Sequence, residues 1–550
     1  MNRPWAREQR RRGTGGAPGR PVRRRADPPA APHGHPMGGA PATAPSGAVA
    51  PARPPFRTPP GILDGRRSST ERADMADQLG SGPDTGSRTA RHAVVVGGGV
   101  AGLLAARALA DHAERVTVVE RDRFPQEPEP RAGVPQGRHI HVLLASGQQA
   151  LEQLLPGVVE ELRAAGAPRV GMPRDMVQHE VGTWYRRTEA TFHFLCGSRP
   201  LLEHVVRRRV LADPRVEALE GTEAVALAGD AARVRGLLVR ERGPAGHGRE
   251  PRLLEADLVV DASGRGSKAP EWLAAIGAEP PREETLDTGL AYATRIYRNA
   301  RHADDTDATG LFVVPNPRQT YGAVVLPVED GRFLVTLSGL RGSEPPTDGE
   351  GFEAFAGRLP DPLVRDWLAK AKPESPVHGF RATANVRRRY DRAGRRPAGF
   401  LVTGDALCTF NPVYGQGMSV AALDAVALRT ALADRRRPPT TLRVQRALFR
   451  AGRQAWEISA GADRNMPGAQ GDAAGTSAAE RPVDWYMARV QQRVGGDPVV
   501  GTAFRAVLHL TAPVTSLLAP RVARAVLFGP ALPTPQQPPL RRDTEDTAAD

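Results

Sequence analysis

The chain has 550 residues, enough for roughly three to four domains of about 150 residues each, and 40% of them are hydrophobic and 25% charged. This composition supports a buried core over most of the length and excludes a wholly disordered chain. No run of about 18 apolar residues occurs, which excludes a membrane-spanning helix, and two cysteines, Cys196 and Cys408, are too few for a disulfide framework or a four-thiolate zinc site.

The formal net charge of +14 is concentrated near the start of the sequence. Residues 1–74 contain 14 arginines and 5 acidic residues, so they carry +9 and leave 14 − 9 = +5 for the remaining chain. Only three of the 75 basic residues are lysines, a skew that indicates a GC-rich genome rather than a demand for guanidinium groups. We therefore expect no nucleic-acid partner. The scarcity of cysteine fits a reducing compartment, and we expect a cytoplasmic protein.

Residues 1–90 are rich in arginine, proline and glycine and contain few large apolar side chains. Such a sequence buries too little surface to offset the entropy of ordering, so we expect a disordered extension. No apolar core of a secretory signal follows its arginines. Two interpretations stay open: a genuine basic arm, or a translation start at Met75.

The first ordered unit is predicted from residue 91 onward. A short apolar run at 93–96 predicts a strand buried on both faces, a helix follows at 101–112, and a second apolar run occupies 116–119. A strand, helix and strand in this order form a βαβ unit with two parallel neighbours. Further along the chain, the patterns predict strands at 258–260, 289–298 and 400–403, a hairpin of 321–327 with 332–337, and helices at 419–432 and within 440–528.

Three glycines between the first strand and its helix, Gly97, Gly99 and Gly102, have the spacing G-x-G-x-x-G. They allow a tight turn, close backbone approach to a pyrophosphate, and close packing of helix on strand. The helix N-terminus adds free N–H groups and partial positive charge. Glu120, 23 residues after Gly97 and at the end of the second strand, is placed to hold an adenosine ribose. Together these residues predict a dinucleotide site.

A second motif lies some 300 residues downstream and indicates a flavin. Gly404-Asp405-Ala406 follows the predicted strand at 400–403, and NPVYGQGM at 411–418 opens the next helix. The carboxylate of Asp405 can accept a hydrogen bond from a sugar-alcohol hydroxyl. The glycine-rich helix start can place N–H donors near an electron-rich carbonyl, as a flavin ring requires.

From residue 91 to about 435 the sequence resembles the FAD-dependent monooxygenases with the p-hydroxybenzoate hydroxylase fold. The resemblance rests on VVVGGGVAGLLAARAL, VTVVERD and GFLVTGDALCTFNPVYGQGM. Two further stretches, RAGVPQGRHIHVLLASGQQALEQLLPG and LVVDASGRGSKAPEWLAAIG, are similar to bacterial flavin-dependent epoxidases and hydroxylases of polyketide, polyether and related secondary metabolism.

The resemblance implies an α/β fold with three parts. We expect a Rossmann-like FAD-binding domain with a parallel sheet (91–170, 198–285 and 398–435), a mixed β-sheet substrate domain (171–197 and 286–397), and a helical C-terminal region (436–530). Residues 531–550 are expected to form a frayed tail.

The resemblance also assigns cofactor-binding roles by position. Gly97, Gly99, Gly102 and Glu120 are expected to hold the ADP half of FAD. Arg138 or Arg131 is expected on the loop that lines the flavin, Arg199 at the phosphate or ribityl chain, Asp405 at the ribityl hydroxyls, and Gly417 with Met418 at the ring. His139 and His141 are interpreted as structural. No catalytic side chain is assigned, and no metal site is expected.

The implied reaction transfers one oxygen atom of O2, through a C4a-hydroperoxyflavin, to an alkene or aromatic carbon of a largely apolar substrate. One departure concerns the electron donor. Many members of the family have aspartate and glycine in the motif that bridges FAD and the nicotinamide cofactor, and here Ser263 stands at the aspartate position. Direct use of NADPH or NADH and a separate flavin reductase are both open.

Three alternatives remain. Flavin-dependent halogenases use a lysine between the two motifs and a Trp-x-Trp-x-Ile-Pro stretch, whereas the first lysine here is Lys268 and Trp184 has no such partner. Alkene-saturating flavoprotein reductases share the fold. A non-enzymatic protein could dock to a membrane surface or a partner through the basic head or the apolar, arginine-bearing segment 499–528, although a helical cap or subunit contact is the simpler interpretation of that segment.

Overall fold

The structure, a computed structural model, describes residues 90–243, 250–392, 394, 396–474 and 481–542. These residues belong to the unit formed by 84–550. The predicted disordered extension, up to residue 89, and the end of the tail, 543–550, lie outside the described residues.

The strands of the described chain are short, and most of them are buried on at least one face. They are β1 (Ala90–Val96), β2 (Ala113–Val119), β3 (Val142–Leu143), β4 (Arg169–Met172), β5 (Met176–Glu180), β6 (Thr183–Trp184), β7 (Phe192–Cys196), β8 (Val216–Leu219), β9 (Thr222–Gly229), β10 (Val234–Glu241), β11 (Arg252–Glu255), β12 (Leu258–Asp261), β13 (Glu283–Leu286), β14 (Ala291–Arg298), β15 (Gly310–Val313), β16 (Tyr321–Pro327), β17 (Phe333–Gly339), β18 (Lys372–Pro373), β19 (His378–Phe380), β20 (Asn385–Arg388), β21 (Phe400–Val402) and β22 (Cys408–Thr409).

The helices cover the parallel sheet and make up most of the chain after residue 416. They are α1 (Val100–Ala110), α2 (Ala145–Leu154), α3 (Val158–Ala164), α4 (Arg199–Leu211), α5 (Ala269–Ala275), α6 (His302–Asp305), α7 (Gly349–Phe355), α8 (Leu363–Ala369), α9 (Gly417–Ala433), α10 (Thr441–Ala451), α11 (Arg453–Asp463), α12 (Arg481–Val494), α13 (Pro498–Leu508) and α14 (Pro520–Phe528).

A five-stranded parallel sheet has the strand order β21-β12-β1-β2-β8. In register, Val95 of β1 pairs with Val118 of β2 and Val260 of β12. These three valines are fully buried, because helices cover both faces of a parallel sheet. The predicted βαβ unit and the predicted strands near 258 and 400 are confirmed, and so is the predicted α/β class.

The order of these strands determines where the polar segments meet. Since all five strands are parallel, their carboxyl ends lie on one edge of the sheet. Gly97 follows β1, Glu120 follows β2, Ala262 follows β12, and Thr403 follows β21. Ligands of open α/β sheets bind at this edge, beside the central strand.

A second, mixed sheet stands apart from the parallel one, with strand order β18-β14-β17-β16-β15-β5-β6 and with β19 also pairing to β14. The predicted hairpin is confirmed as the antiparallel pair of β16 and β17. Its turn contains Asp330 with φ of 63°. A separate apolar cluster, including Tyr297, Phe352 and Trp367, fills the space between this sheet and α7 and α8.

The C-terminal helices α12 to α14 pack on one another around Val490, Val500 and Val526. None of the described helices is long and apolar enough to cross a bilayer. The expectation of a frayed tail is wrong for residues 539–542. The backbone carbonyl of Leu540 accepts hydrogen bonds from Thr306 and Arg187, which anchor this segment beside the mixed sheet.

Candidate flavin site

The turn between β1 and α1 leaves open space beside Gly99. Gly97 has φ of 99°, and a Cβ there would lie 2.7 Å from the carbonyl oxygen of Ala262. A Cβ on Gly102 would overlap the carbonyl oxygen of Gly97. At Gly99, in contrast, the nearest atoms would be 3.9 Å away, and they belong to the guanidinium groups of Arg131 and Arg199. The first and third glycines thus permit the turn, while the second one faces two cations.

The helix that starts at this turn has unsatisfied N–H groups. Gly99 caps α1 without a side chain, and the first turn has no acidic residue. By comparison, Ser198 caps α4 and Asp497 caps α13 through side-chain oxygens. An uncapped helix start beside two arginines is suited to a phosphate group, because the free donors and the helix dipole both favour an anion.

Glu120 connects the end of β2 to the glycine turn. One carboxylate oxygen accepts a hydrogen bond of 2.7 Å from the N–H of Gly98, and the other accepts one of 2.9 Å from the N–H of Asp122. Arg131 lies 3.1 Å from the same carboxylate and also bonds Asp122 and Glu203. Glu120 therefore braces the turn, and three carboxylates hold the Arg131 guanidinium in place.

Arg199, at the start of α4, also approaches the turn, since its guanidinium group lies 3.9 Å from a Cβ placed on Gly99. Its Nε bonds the carboxylate of Glu203 at 3.2 Å, so Glu203 holds both Arg131 and Arg199. The aliphatic part of Arg199 lies against Gly137, on the loop that follows Arg131. Among the predicted residues, the structure thus brings together the three glycines, Glu120, Arg131 and Arg199.

The second motif meets the first in space. A Cβ added to Gly404, which has φ of 59°, would lie 2.6 Å from Cβ of Ala101 in the first turn of α1. The two glycine-bearing turns are therefore in contact, although 303 residues separate these two positions. This convergence places Asp405 beside the start of α1.

The carboxylate of Asp405 accepts no hydrogen bond from any described residue. Burial raises its pKa, and the charges of Arg265, Arg199 and Arg388 act in the opposite direction. The carboxylate is only partly buried, so its acceptor positions are free for a ligand. Its position suits a hydroxyl-bearing ligand that would donate to it.

Asp424, on α9, supports the second turn from behind. One of its oxygens accepts hydrogen bonds of 3.1 Å from the hydroxyl of Thr403 and from the N–H of Gly404. Burial raises the pKa of Asp424 to about 7. A partly protonated carboxyl group thus fixes the backbone immediately before Asp405.

A buried hydrogen-bond network holds the loop before α9. The carboxylate of Asp463, at the end of α11, accepts hydrogen bonds from Asn385 (2.7 Å), Asn411 (2.9 Å) and Tyr414 (2.7 Å). The side-chain oxygen of Asn385 in turn accepts from the N–H of Asn411 and the hydroxyl of Ser459. The loop conformation therefore depends on a helix outside both glycine motifs.

The loop leads to an open helix start. Apart from its chain neighbours and the backbone of its own helix, nothing lies within 4 Å of a Cβ placed on Gly417, and no side chain caps α9. Both side-chain amide atoms of the buried Gln416 lack a hydrogen-bond partner. The side chain of Met418 belongs to the main hydrophobic core, so only its backbone is available to a ligand at this end of the helix.

Aromatic and aliphatic side chains of the mixed sheet face the same loop. Tyr292 stacks on Phe380 with ring centroids 5.4 Å apart, and both contact the ring of His139 edge-on. Leu290, Tyr292 and Leu340 form one apolar cluster, against which Phe380, Val413 and Met466 pack. We call these six residues and His139 the apolar wall.

The two histidines of the loop 131–141 are neutral. Burial lowers the pKa of His139 to about 4 and that of His141 to about 3. His139 bonds the hydroxyl of Thr294, and His141 bonds the carbonyl of His139. This environment agrees with structural roles for both.

Arg138 and Arg131 occupy different places. Arg138 is exposed, and its charge acts on His139 and His378, next to the apolar wall. Arg131 lies at the glycine turn. The sequence left open which of them lines the cofactor, and the structure places only Arg131 at the turn.

Four residues that shape the candidate site were not predicted from the sequence: Arg265, Tyr292, Asp424 and Asp463. Asp424 had a signal, because it is the only acidic residue of an otherwise apolar and small helix, GMSVAALDAVALRTALA. Arg265 follows β12 by four residues, at the ligand edge of the sheet. Tyr292 and Asp463 had no local signal, since their roles come from contacts with distant segments.

The residues at this edge fit FAD. The open glycine and two arginines suit a pyrophosphate, the free carboxylate of Asp405 suits a ribityl hydroxyl, and the uncapped start of α9 suits the carbonyl edge of a flavin. Within the described ranges no group of three His, Cys, Asp or Glu side chains is arranged for a metal ion.

Comparison with known proteins agrees with this geometry. Residues 91–437 match the family model described as FAD binding domain. The chain belongs to this family of FAD-dependent monooxygenases. It is 37% identical over 356 residues to Protein Rv3254 of Mycobacterium tuberculosis, covering 62% of this chain and 73% of that protein. The resemblance inferred from the sequence motifs is thereby confirmed.

Two further similarities bear on activity and fold. The chain is 28% identical over 356 residues to 6-methylpretetramide 4-monooxygenase of Streptomyces rimosus, covering 62% of this chain and 74% of that enzyme. The structure of p-nitrophenol 4-monooxygenase PnpA from Pseudomonas putida DLL-E4 has the same fold, with a TM-score of 0.54 and 18% identity over 76% of this chain and 97% of PnpA.

Proposed function

We propose that this monooxygenase transfers one oxygen atom of O2 to an alkene or aromatic carbon of a largely apolar small molecule. The apolar wall carries this proposal. It joins Val413, on the loop before α9, to Tyr292 and Phe380 of the mixed sheet. A substrate held between this wall and the flavin would lose water and meet mainly hydrocarbon and aromatic surface, which favours an apolar compound.

FAD, when bound, activates O2 with two electrons from NADPH or NADH, so that one oxygen atom enters the product and the other leaves as water. The residues of this chain position the cofactor and shield it from water. Gly99, Arg131 and Arg199 would hold the pyrophosphate. Glu120 would accept a hydrogen bond from a ribose hydroxyl while it braces the turn. Asp405 would accept a hydrogen bond from a ribityl hydroxyl, and the N–H groups of Gly417 and Met418 would face the carbonyl edge of the flavin.

The region around Ser263 bears on the choice of electron donor. Its N–H bonds Asp261 at 2.9 Å, and the hydroxyl of Ser267 bonds the same buried carboxylate. The carboxylate of Asp261 therefore stabilises the turn through these hydrogen bonds. Ser263 contributes no carboxylate at the position where many family members have one. We favour reduction by a separate flavin reductase over direct reduction by NADPH or NADH.

Flavin-dependent halogenases share the fold, but the lysines of this chain do not support that activity. Lys370 pairs with Asp305 at the surface, Lys372 is exposed on β18, and Lys268 is exposed before α5. None of the three belongs to the apolar wall or is among the residues that pack on that cluster. An alkene-saturating reductase differs from a monooxygenase in needing no O2, and this difference provides a test.

The test supplies the purified holoenzyme with NADPH or NADH, with and without an added flavin reductase, and with panels of apolar alkenes and phenols. We expect O2 consumption that depends on the compound, and a product that gains one atom of isotopically labelled oxygen by mass spectrometry. A product that gains two hydrogens under anaerobic conditions, or flavin reoxidation that never oxygenates any compound, would contradict the proposal.

A further inference from the structure

Exposed apolar side chains are concentrated in the C-terminal helices. Seven large hydrophobic side chains of the described residues are strongly exposed, and five of them lie between residues 483 and 532. The most prominent are Trp485 at 56%, Leu518 at 61% and Phe528 at 82% relative exposure. Isolated exposed leucines need no explanation, but a concentration of this kind marks an interaction surface.

The three side chains lie near two contacts that α12 makes, one with the turn 514–518 and one with the end of α14. The hydroxyl of Tyr486, next to Trp485, bonds the carbonyl of Leu517 at 2.7 Å. Arg489 bonds the carbonyl of Leu527 at 3.3 Å and lies 5.3 Å over the ring of Trp485. Leu518 and Phe528 directly follow the two bonded carbonyls in sequence, so both residues lie close to α12, which carries Trp485.

Arginines share this surface. On α14, Arg521, Arg524 and Phe528 follow one another at spacings of three and four residues, which places them on one face. The opposite face, with Val522 and Val526, is buried against α12 and α13. We define the docking patch as Trp485, Leu518 and Phe528 with Arg489, Arg521 and Arg524.

The charge around the docking patch favours an anionic partner. No acidic residue occurs between Asp497 and Asp543, and Asp484 is the only one in α12. A second copy of the chain would bring arginines against arginines, which costs free energy. The apolar side chains protrude at helix ends instead of lining a groove, so they suit a deformable surface better than a folded one.

We propose that the docking patch binds the surface of an anionic lipid bilayer. Trp485, Leu518 and Phe528 would enter the boundary between head groups and acyl chains, while the arginines would contact lipid phosphates. The inference is independent of the proposed substrate. It would bring the enzyme to the phase in which apolar compounds dissolve.

The test is co-sedimentation of the full chain with vesicles of phosphatidylcholine alone or mixed with phosphatidylglycerol. We expect binding to the mixed vesicles that weakens with salt, and little binding to phosphatidylcholine. The double variant Trp485→Ser/Phe528→Ser should lower the partition coefficient more than about tenfold, because two large side chains lose their burial. Arg521→Gln/Arg524→Gln should weaken the binding and reduce its salt dependence.

The matched control is Leu253→Ser, an exposed leucine on β11 that lies outside the docking patch. All variants retain residues 1–74, so the charge of that segment contributes equally to each measurement. The proposal is overturned if both double variants bind like the wild type. It is also overturned if Trp485→Ser/Phe528→Ser instead dissolves an oligomer in sedimentation velocity while vesicle binding is absent, or if only an acidic protein binds the patch. Unchanged flavin content and thermal unfolding show that each variant is folded.

Discussion

The hydroxyl of Tyr414 donates a hydrogen bond of 2.7 Å to the carboxylate of Asp463, although Asp463 lies beyond the segment that matches the FAD-binding family. This bond joins the last residue of α11 to the loop that leads into α9. Two asparagines, Asn385 and Asn411, share the same carboxylate. The loop before the flavin-facing helix start is therefore held by a C-terminal helix of this chain.

Replacing Asp463 with asparagine should loosen this loop. The new amide presents a donor where three donors already converge, and burial prevents water from compensating. We expect the free energy of unfolding to fall by about 1–3 kcal/mol and FAD affinity to fall with it, measured by chemical denaturation and by flavin fluorescence. Tyr414→Phe, which leaves two donors on the carboxylate, should have a smaller effect.

Glu457→Gln is the matched control for that experiment, since Glu457 lies on the same helix and pairs with Arg453 at the surface. It should change neither stability nor flavin content. Equal behaviour of Asp463→Asn and Glu457→Gln would show that the network does not position the loop.

Alanine at Gly99 and at Gly102 should have opposite consequences. Gly99 has room for a Cβ, so Gly99→Ala should fold normally but block close approach of the pyrophosphate. Gly102→Ala would drive a methyl group into the backbone of Gly97 and should unfold at clearly lower temperature. Thermal unfolding of the flavin-free proteins and FAD titration separate the two effects. A Gly99→Ala protein that binds FAD like the wild type would remove Gly99 from the proposed site.

Asp405→Asn should weaken FAD binding without destabilising the flavin-free protein. The carboxylate accepts no hydrogen bond from the described residues, so the fold loses nothing, whereas a ribityl hydroxyl loses a charged acceptor worth about 1.5–3 kcal/mol. We expect FAD affinity to fall about tenfold or more. Asp230→Asn, in an exposed turn before β10, serves as the control. Reduced stability of the flavin-free Asp405→Asn protein would indicate a structural role instead.

Asp424 should make stability depend on pH. Burial raises its pKa to about 7, above about 3.9 for an unfolded chain. The folded state therefore holds the proton more tightly, and the stability that it contributes at low pH is lost as pH rises from about 4 to about 7. Asp424→Asn mimics the protonated acid, so its stability relative to the wild type should increase over this range. If the difference in unfolding free energy between Asp424→Asn and the wild type is the same at all pH values, the raised pKa of Asp424 is refuted.

Local patterns were sufficient to predict the parallel sheet and both glycine turns. The strand that ends at Val96 is a continuous apolar run, since it is buried on both faces, and Gly97 and Gly404 have positive φ that few other residues tolerate. Both the buried strand and the glycine turns are determined by a few neighbouring residues. The confirmed hairpin of β16 and β17 has the same origin.

The contacts of single polar side chains could not be predicted in this way. Asp463 meets Asn385 across 78 residues of sequence, and an aspartate at a helix end otherwise has an ordinary appearance. Which of Arg131 and Arg138 lies at the glycine turn depends on the direction of the short turn between them, which the sequence does not specify. The anchored segment at Leu540 resembles any proline-rich terminus until its carbonyl meets Thr306 and Arg187.

The strand order of the parallel sheet has a consequence for biosynthesis. β21, which ends just before Gly404, is the last strand of that sheet along the chain, and it occupies an edge next to β12. A nascent polypeptide on the ribosome can form the first βαβ unit early, but Asp405 joins it only after the 286 residues that follow Val119 (405 − 119) have been synthesised. Cofactor capture is thus expected to be a late event, which follows translation of both motifs.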